Sequence, residues 1–281
     1  MKTIAVLTDF SDSAANASRF AIHMAKKMKA KVLLFNISAV PVFSEPVFAG
    51  EPNYLSNVES ALEQHAINLK HEHIGRSFPG SYIPEVEFNN ESQEIVDVMT
   101  SIMQNGDIAM IVTSPANKTD FVTYMLSDVC NRIIDWATVP LLIVPEDATI
   151  KNFEKIAFVS QLHKEDLNSI SGLGSLMECF CAELMVAHLN ENPGDICMQE
   201  MEKQLNRSLY QKLDCGGVYF RSIPDTAVQK DWSWLKANKR TDLLAIVRQP
   251  REQMRKFFKR GQNKHVTYHL TVPVIVIPPL Y

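Results

Sequence analysis

The sequence predicts an α/β protein of two tandem domains, each built on a five-stranded parallel sheet with helices on both faces. Short apolar runs alternate with longer segments of helical period, and the same order of runs occurs twice along the chain. A chain of 281 residues is also long for one core but comfortable for two. Apolar runs without polar alternation are typical of parallel strands that are buried on both faces.

In the first half, strands and helices alternate as βαβ units require, and Ser11 is a plausible N-cap for the first helix. The segment 40–52 contains three prolines and a glycine, so we expect a loop there. Five such strands favour the flavodoxin-like order 3-2-1-4-5, with a crevice between strands 1 and 4. The predicted strands are 4–7, 31–37, 85–88, 108–112 and 139–144, and the predicted helices are 14–29, 53–75, 92–104 and 122–136.

The second half repeats four of these blocks in the same order. Asp107 to Pro140 spans 33 residues in the first half, and Asp242 to Pro273 spans 31 in the second. A duplicated domain is therefore predicted, with a polar linker at 145–152 and domain bounds of 1–146 and 152–281. The matching blocks are 155–159 with 3–7, 183–188 with the second strand, 242–247 with 107–112, and 272–277 with 139–144.

Composition excludes several functional classes. The net charge of −4 and the pI of about 6.1 give no general affinity for nucleic acid or membrane surfaces. No apolar run approaches the eighteen residues of a membrane helix, and the first apolar run meets Asp9 after four residues, so we expect a cytoplasmic protein. Five irregularly spaced cysteines indicate reduced, mostly packed thiols rather than a metal site or a disulfide framework.

The segment Thr8-Asp9-Phe10-Ser11, the Asp107 strand and the Val139-Pro140 strand together resemble the universal stress protein superfamily. The similarity extends over nearly the whole chain, taken twice. It implies cytoplasmic domains of the flavodoxin-like, adenine-nucleotide α-hydrolase-like fold that often dimerise, and of which some bind ATP and some do not. The resemblance thus implies the fold more firmly than the ligand.

In the family's ATP-binding members, an aspartate closes the first strand, and the loop after the fourth strand carries G-x-x-G, nine residues, then G-[ST]. Asp9 matches that aspartate, although it could equally cap the first helix. The loop does not match, because Pro115 removes an amide donor and Asp128 places a carboxylate where a triphosphate would lie. We interpret Asp128 as a first-turn residue of the following helix.

The resemblance therefore implies a degenerate nucleotide site in the first domain. ATP or AMP stays open as its ligand, and we name no cofactor, no metal and no catalytic residue. The candidate contacts are Thr8, Asp9, Ala39, Val40, Thr113, Ser114 and Ser127.

The second repeat is further from the pattern, with Gln161 at the position of Asp9. Its segment 248–264 holds seven cations against one carboxylate, Glu252. Such a cluster after a strand can hold an anion, and Arg248, Arg251 and Arg255 are the candidates. The alternative is a solvated helix face that packs through Phe257-Phe258.

The leading functional hypothesis is a non-enzymatic stress-response module, a tandem universal stress protein whose two domains form an internal pseudo-dimer. A homodimer and a protein partner stay open. The first alternative is adenine-nucleotide binding by the first domain alone, based on Asp9 and on Thr113, Ser114 and Ser127 in place of the glycines. The second is a slow ATPase, against which the lack of a Walker-type lysine argues.

Overall fold

The chain forms two units, each of which contains five strands. The first unit comprises Met1–Thr119 and Asp128–Ile150, and the second comprises Asp120–Ser127 and Lys151–Tyr281. The domain bounds 1–146 and 152–281 stay a prediction. The computed structural model describes residues 1–37, 54–74, 80–90, 94–115, 121–163, 166–190, 194–212, 217–224, 235, 241–260 and 271–279.

The first unit has five parallel strands in the order β3-β2-β1-β4-β5, which confirms the predicted 3-2-1-4-5 arrangement. All six residues of β1 are buried, as expected for a central strand covered on both faces. Its elements are β1 (Thr3–Thr8), α1 (Asp12–Met28), β2 (Lys31–Asn36), α2 (Tyr54–Ile74), β3 (Val86–Asn89), α3 (Ile95–Gln104), β4 (Ile108–Thr113), α5 (Asp128–Trp136) and β5 (Leu141–Ile143).

The second unit repeats this order as β8-β7-β6-β9-β10, again with parallel pairing. The short helix α4 (Phe121–Met125) belongs to this unit and contacts the last described helix, α9 (Arg251–Arg260). The other elements are β6 (Lys155–Ser160), α6 (Asp166–Gly172), α7 (Gly174–Phe180), β7 (Glu183–Asn190), α8 (Ile196–Lys212), β8 (Val218–Pro224), β9 (Leu243–Val247), α9 (Arg251–Arg260) and β10 (Val274–Ile277).

The predicted helix over 122–136 is two helices. The amide of Ser127 donates to the carbonyl of Tyr124 at 2.9 Å, which closes the short α4, and α5 begins one residue later. Asp128 lies in the first turn of α5, where the positive end of the helix dipole stabilises a carboxylate.

An aspartate precedes the fourth strand of each unit, but the two side chains have different surroundings. Asp242 is buried, and its Oδ2 accepts the amides of Glu154 at 2.9 Å and Lys155 at 3.1 Å while Oδ1 pairs with Lys151. Asp107 is 67% exposed and faces the N-terminal ammonium of Met1 at 3.8 Å. The carboxylate therefore anchors the start of the first strand only in the second unit.

We predict that Asp242→Ala destabilises the second unit by about 2–3 kcal/mol, because two backbone donors lose their acceptor. The matched Asp107→Ala should cost less than about 1 kcal/mol, since exposed ion pairs contribute little. Hydrogen-exchange protection of β6 and β1 amides measures the two effects separately. Equal losses in the two variants would contradict this assignment.

Candidate functional site

The turn after β1 is held by its own side chains. Thr8 is buried, and its Oγ1 accepts the amide of Phe10 at 3.0 Å, while Phe10 has a left-handed φ of 62°. Asp9 Oδ1 accepts the amide of Ser11 at 3.0 Å, and Ser11 Oγ caps α1 by accepting the amide of Ala14 at 3.1 Å. The amides of Phe10 and Ser11 are therefore already paired within the chain.

The same turn follows β6 in the second unit. Ser160 is in the place of Thr8, and its Oγ accepts the amide of Leu162 at 3.0 Å, while Leu162 has a left-handed φ of 63°. The two turns are alike although all four residues at 8–11 differ from their counterparts at 160–163. Only the first position keeps a hydroxyl, as Thr in one turn and Ser in the other.

A carboxylate from the next helix completes the second turn. Asp166 is buried, and its Oδ2 accepts the Ser160 hydroxyl at 2.6 Å and the amides of Gln161 and His163 at 3.0 and 3.3 Å. Burial raises the pKa of Asp166 above that of an ordinary aspartate, although these hydrogen bonds act in the opposite direction. The amides that this turn would offer to an anion are therefore taken by the chain's own carboxylate.

The strand beside each turn contributes a side chain at the same register position. Asn36 pairs with Thr8 and donates its Nδ2 to the Thr8 carbonyl at 3.0 Å. His188 pairs with Ser160, and its Nδ1 lies 3.2 Å from the Ser160 carbonyl. Because a carbonyl only accepts, Nδ1 carries the proton, so Nε2 of the neutral ring is an acceptor.

A cavity of about 320 Å³ opens in the second unit, at the carboxyl ends of β6 and β7. Its polar lining includes Ser160, Gln161, His188 and Asn190, and α9 adds the opposite wall. A narrower space of about 30 Å³ adjoins it beside Asp166. The larger cavity therefore lies beside the predicted crevice between the first and fourth strands, and only the narrower space is lined by both β6 and β9.

One wall of this cavity is held by a hydrogen-bonded group. Asn190 donates its Nδ2 to Glu202 Oε1 at 3.0 Å, and the Ser222 hydroxyl donates to the same oxygen at 2.7 Å. Asn190 is buried at the end of β7 and lines the cavity. These bonds join β7, β8 and α8 behind the cavity.

The basic helix α9 packs through buried Met254 and Phe258, which are four residues apart. Arg251 and Arg255 are exposed one turn apart, whereas Lys256 lines the cavity together with Gln253 and Phe257. Gln253, Lys256 and Phe257 are spaced by three and four residues and so share one helix face. The helical period of the sequence could therefore have identified Lys256 as a residue on that face. The third sequence candidate, Arg248, follows β9, and its amide donates to the Ile277 carbonyl at 2.7 Å.

In the first unit, the structure brings together four of the predicted nucleotide contacts. Thr8 and Asp9 end β1, and Thr113 and Ser114, both buried, end the neighbouring β4. Ser127 lies in the segment Asp120–Ser127 of the second unit. Ala39 and Val40 lie outside the described residues.

The polar residues at the cavity of the second unit make hydrogen bonds with one another. His188 contacts the Ser160 carbonyl and not the Ser160 hydroxyl, so His188 and Ser160 do not form a nucleophile–base pair. Within the described ranges no group of three His, Cys, Asp or Glu residues could hold a metal ion. No helix among the same residues is long and apolar enough to cross a membrane.

We predict that Asp166→Asn changes the pH dependence of stability. A raised native pKa means that the contribution of Asp166 is fully present below its unfolded pKa and is lost as pH rises through the native pKa. Relative to the native chain, the variant should therefore gain stability as pH rises from the acid range toward neutrality. Urea unfolding at a series of pH values measures this, with exposed Asp147→Asn as the control. A stability difference that does not vary with pH would refute the assignment.

Comparisons with known proteins agree with the fold. The model of the universal stress protein family matches residues 1–145. A universal stress protein from Archaeoglobus fulgidus DSM 4304 superposes with a TM-score of 0.69 at 11% identity, covering 99% of this chain and 96% of that one. No curated protein matches the sequence.

Two further solved structures are similar over their whole length. A functionally unknown protein from Pseudomonas aeruginosa PAO1 has a TM-score of 0.58 at 11% identity, with 99% of this chain and 93% of that chain covered. The cytoplasmic domain of a prokaryotic cation chloride cotransporter has a TM-score of 0.56 at 9% identity, with 98% and 94% covered. At these identities the similarity shows the fold alone.

Proposed function

Because the chain belongs to the universal stress protein family, we propose that it acts as a non-enzymatic stress-response module of two tandem domains with degenerate phosphate-binding turns. The observation that carries the proposal is the position of Asp166, whose carboxylate accepts the two amides that follow β6. A phosphate at this turn would have to displace a buried carboxylate and would be repelled by its charge.

The first domain is altered in a different way. Its turn amides are paired with Thr8 and Asp9, and Pro115 provides no amide after β4. Asp128, in the first turn of α5, adds a negative charge at a helix start where a phosphate would otherwise be stabilised. Among the described residues, the amides that follow the first strand of each domain are therefore paired within the chain.

A second candidate function is adenine-nucleotide binding by the first domain, with slow ATP hydrolysis as its enzymatic form. It is favoured by the convergence of Thr8, Asp9, Thr113 and Ser114 at neighbouring strand ends. Asp9 keeps a second carboxylate oxygen for a ribose, since only Oδ1 accepts the Ser11 amide.

The remaining parts of the proposal rest on the sequence. They are a cytoplasmic location and a pseudo-dimer of the two domains, with a homodimer or a protein partner as further levels of assembly. Small-angle scattering that shows two independent domains on a linker would contradict the pseudo-dimer.

Calorimetric titration with ATP, with and without magnesium, tests the proposed function. We expect no saturable heat at millimolar ATP, because the turn amides are occupied in both domains. Micromolar binding at one site per chain would contradict the proposal and favour the second candidate.

A matched pair of variants would locate any such binding. Asp9→Ala should weaken a site in the first domain, and Gln161→Ala, at the equivalent position after β6, should leave it unchanged. Loss of affinity in Gln161→Ala alone would place the nucleotide in the second domain.

A further inference from the structure

The cavity of the second unit has a polar floor that is built into the fold. The side chains of Ser160, His188 and Asn190 line it and are exposed by only 2%, 7% and 4%. Burial of polar groups is costly unless they are hydrogen-bonded. Ser160 and Asn190 meet that need within the chain, as described above, whereas the described residues engage His188 through Nδ1 only.

His188 therefore presents an acceptor to whatever occupies the cavity. Its Nδ1 proton is directed to the Ser160 carbonyl, so Nε2 of the neutral ring accepts a hydrogen bond from an O–H or N–H group. Asn36, at the same register position in the first unit, makes the same bond to the strand-end carbonyl without a second ring nitrogen. The imidazole thus keeps the structural bond and presents a ring-nitrogen acceptor in place of an amide oxygen.

The opposite wall carries one positive charge. Lys256 projects from the face of α9 that also bears Gln253 and Phe257, and all three line the cavity. Among the described residues that line it, Lys256 is the single charged side chain. Its ammonium can pair with one anionic group on a ligand.

Apart from Gln161, the rest of the lining is apolar. Val159, Leu189, Met198 and Phe257 supply it, and aromatic and thioether groups pack well on a planar ring. The volume of about 320 Å³ lies near the lower end of small-molecule sites, which span about 300–1,000 Å³. The ligand is therefore small.

Asp166 sets the limit on ligand charge. It lines the narrow space that adjoins the cavity, and it accepts the amides of Gln161 and His163, so these amides are not available to an anion. In this respect the inference rests on the proposed function, namely the exclusion of a triphosphate. One cation without free amides favours a carboxylate over a polyphosphate.

From these observations we propose that the second unit binds a small aromatic carboxylate. The carboxylate pairs with Lys256, the ring packs against Phe257 and Met198, and a ring hydroxyl donates to His188 Nε2. The second domain would then be a sensor for such acids, a role that the degenerate phosphate-binding turn does not itself provide.

Titration of the full chain with 3-hydroxybenzoate and 4-hydroxybenzoate, followed by NMR of the histidine rings and by calorimetry, tests this proposal. We expect saturable binding at one site per chain with a shift of the His188 resonances. The corresponding hydroxybenzamides, which lack the charge, should bind at least about tenfold more weakly. No saturation by either acid at millimolar concentration, or equal affinity for acid and amide, would overturn the proposal.

Variants at the two polar ends sharpen the test. Lys256→Gln should weaken binding about tenfold, and Arg255→Gln, on the same helix but outside the cavity lining, should leave the affinity within about twofold. His188→Leu removes the acceptor and should abolish the preference for hydroxybenzoates over benzoate, while retained binding of benzoate shows that the cavity is still folded. Equal effects of Lys256→Gln and Arg255→Gln would refute the cavity as the site.

ATP titrated in parallel separates the two proposals. Binding of the acids without binding of ATP supports both. Loss of acid binding alone overturns this inference and leaves the proposed function standing, whereas saturable ATP binding contradicts the proposed function whatever the acids do.

Discussion

The turn after the first strand of each unit is the feature on which the rest of both sites depends. A hydroxyl, from Thr8 or Ser160, accepts the amide two residues later at 3.0 Å, and that later residue takes a left-handed φ of 62° or 63°. Such a conformation costs a non-glycine residue about 1–3 kcal/mol, so the surrounding bonds must hold it. The turn fixes where the chain leaves the sheet and therefore where the crevice opens.

The two units then use this shared turn for different ends. In the first unit Asp9 and Ser11 complete a cap for α1, and both strand ends keep short polar side chains. In the second unit Asp166 fills the turn from the helix side, and His188 replaces the asparagine of the first. The two units thus share a strand order and a turn, while the residues at a few strand-end positions differ in the charge and the donors that they offer.

The strand order could be predicted from the sequence because buried parallel strands are continuous apolar runs. The strand Val218–Pro224 was not identified, since Arg221 and Ser222 interrupt its apolar residues. The helix over 122–136 was predicted as one, because its period continues across the Tyr124–Ser127 turn. The role of Asp166 was out of reach, because a carboxylate six residues past Ser160 shows no partner until the turn is folded.

Asp166 accepts the amides of Gln161 and His163 in the turn after β6, and amide hydrogen exchange measures these two hydrogen bonds most directly. In the protein without added nucleotide, the Gln161 and His163 amides should be protected from exchange, and millimolar ATP should leave their protection unchanged. Asp166→Ala should abolish that protection while the β6 amides stay protected. Rapid exchange of Gln161 and His163 in the native protein, with protection appearing when ATP is added, would contradict the account.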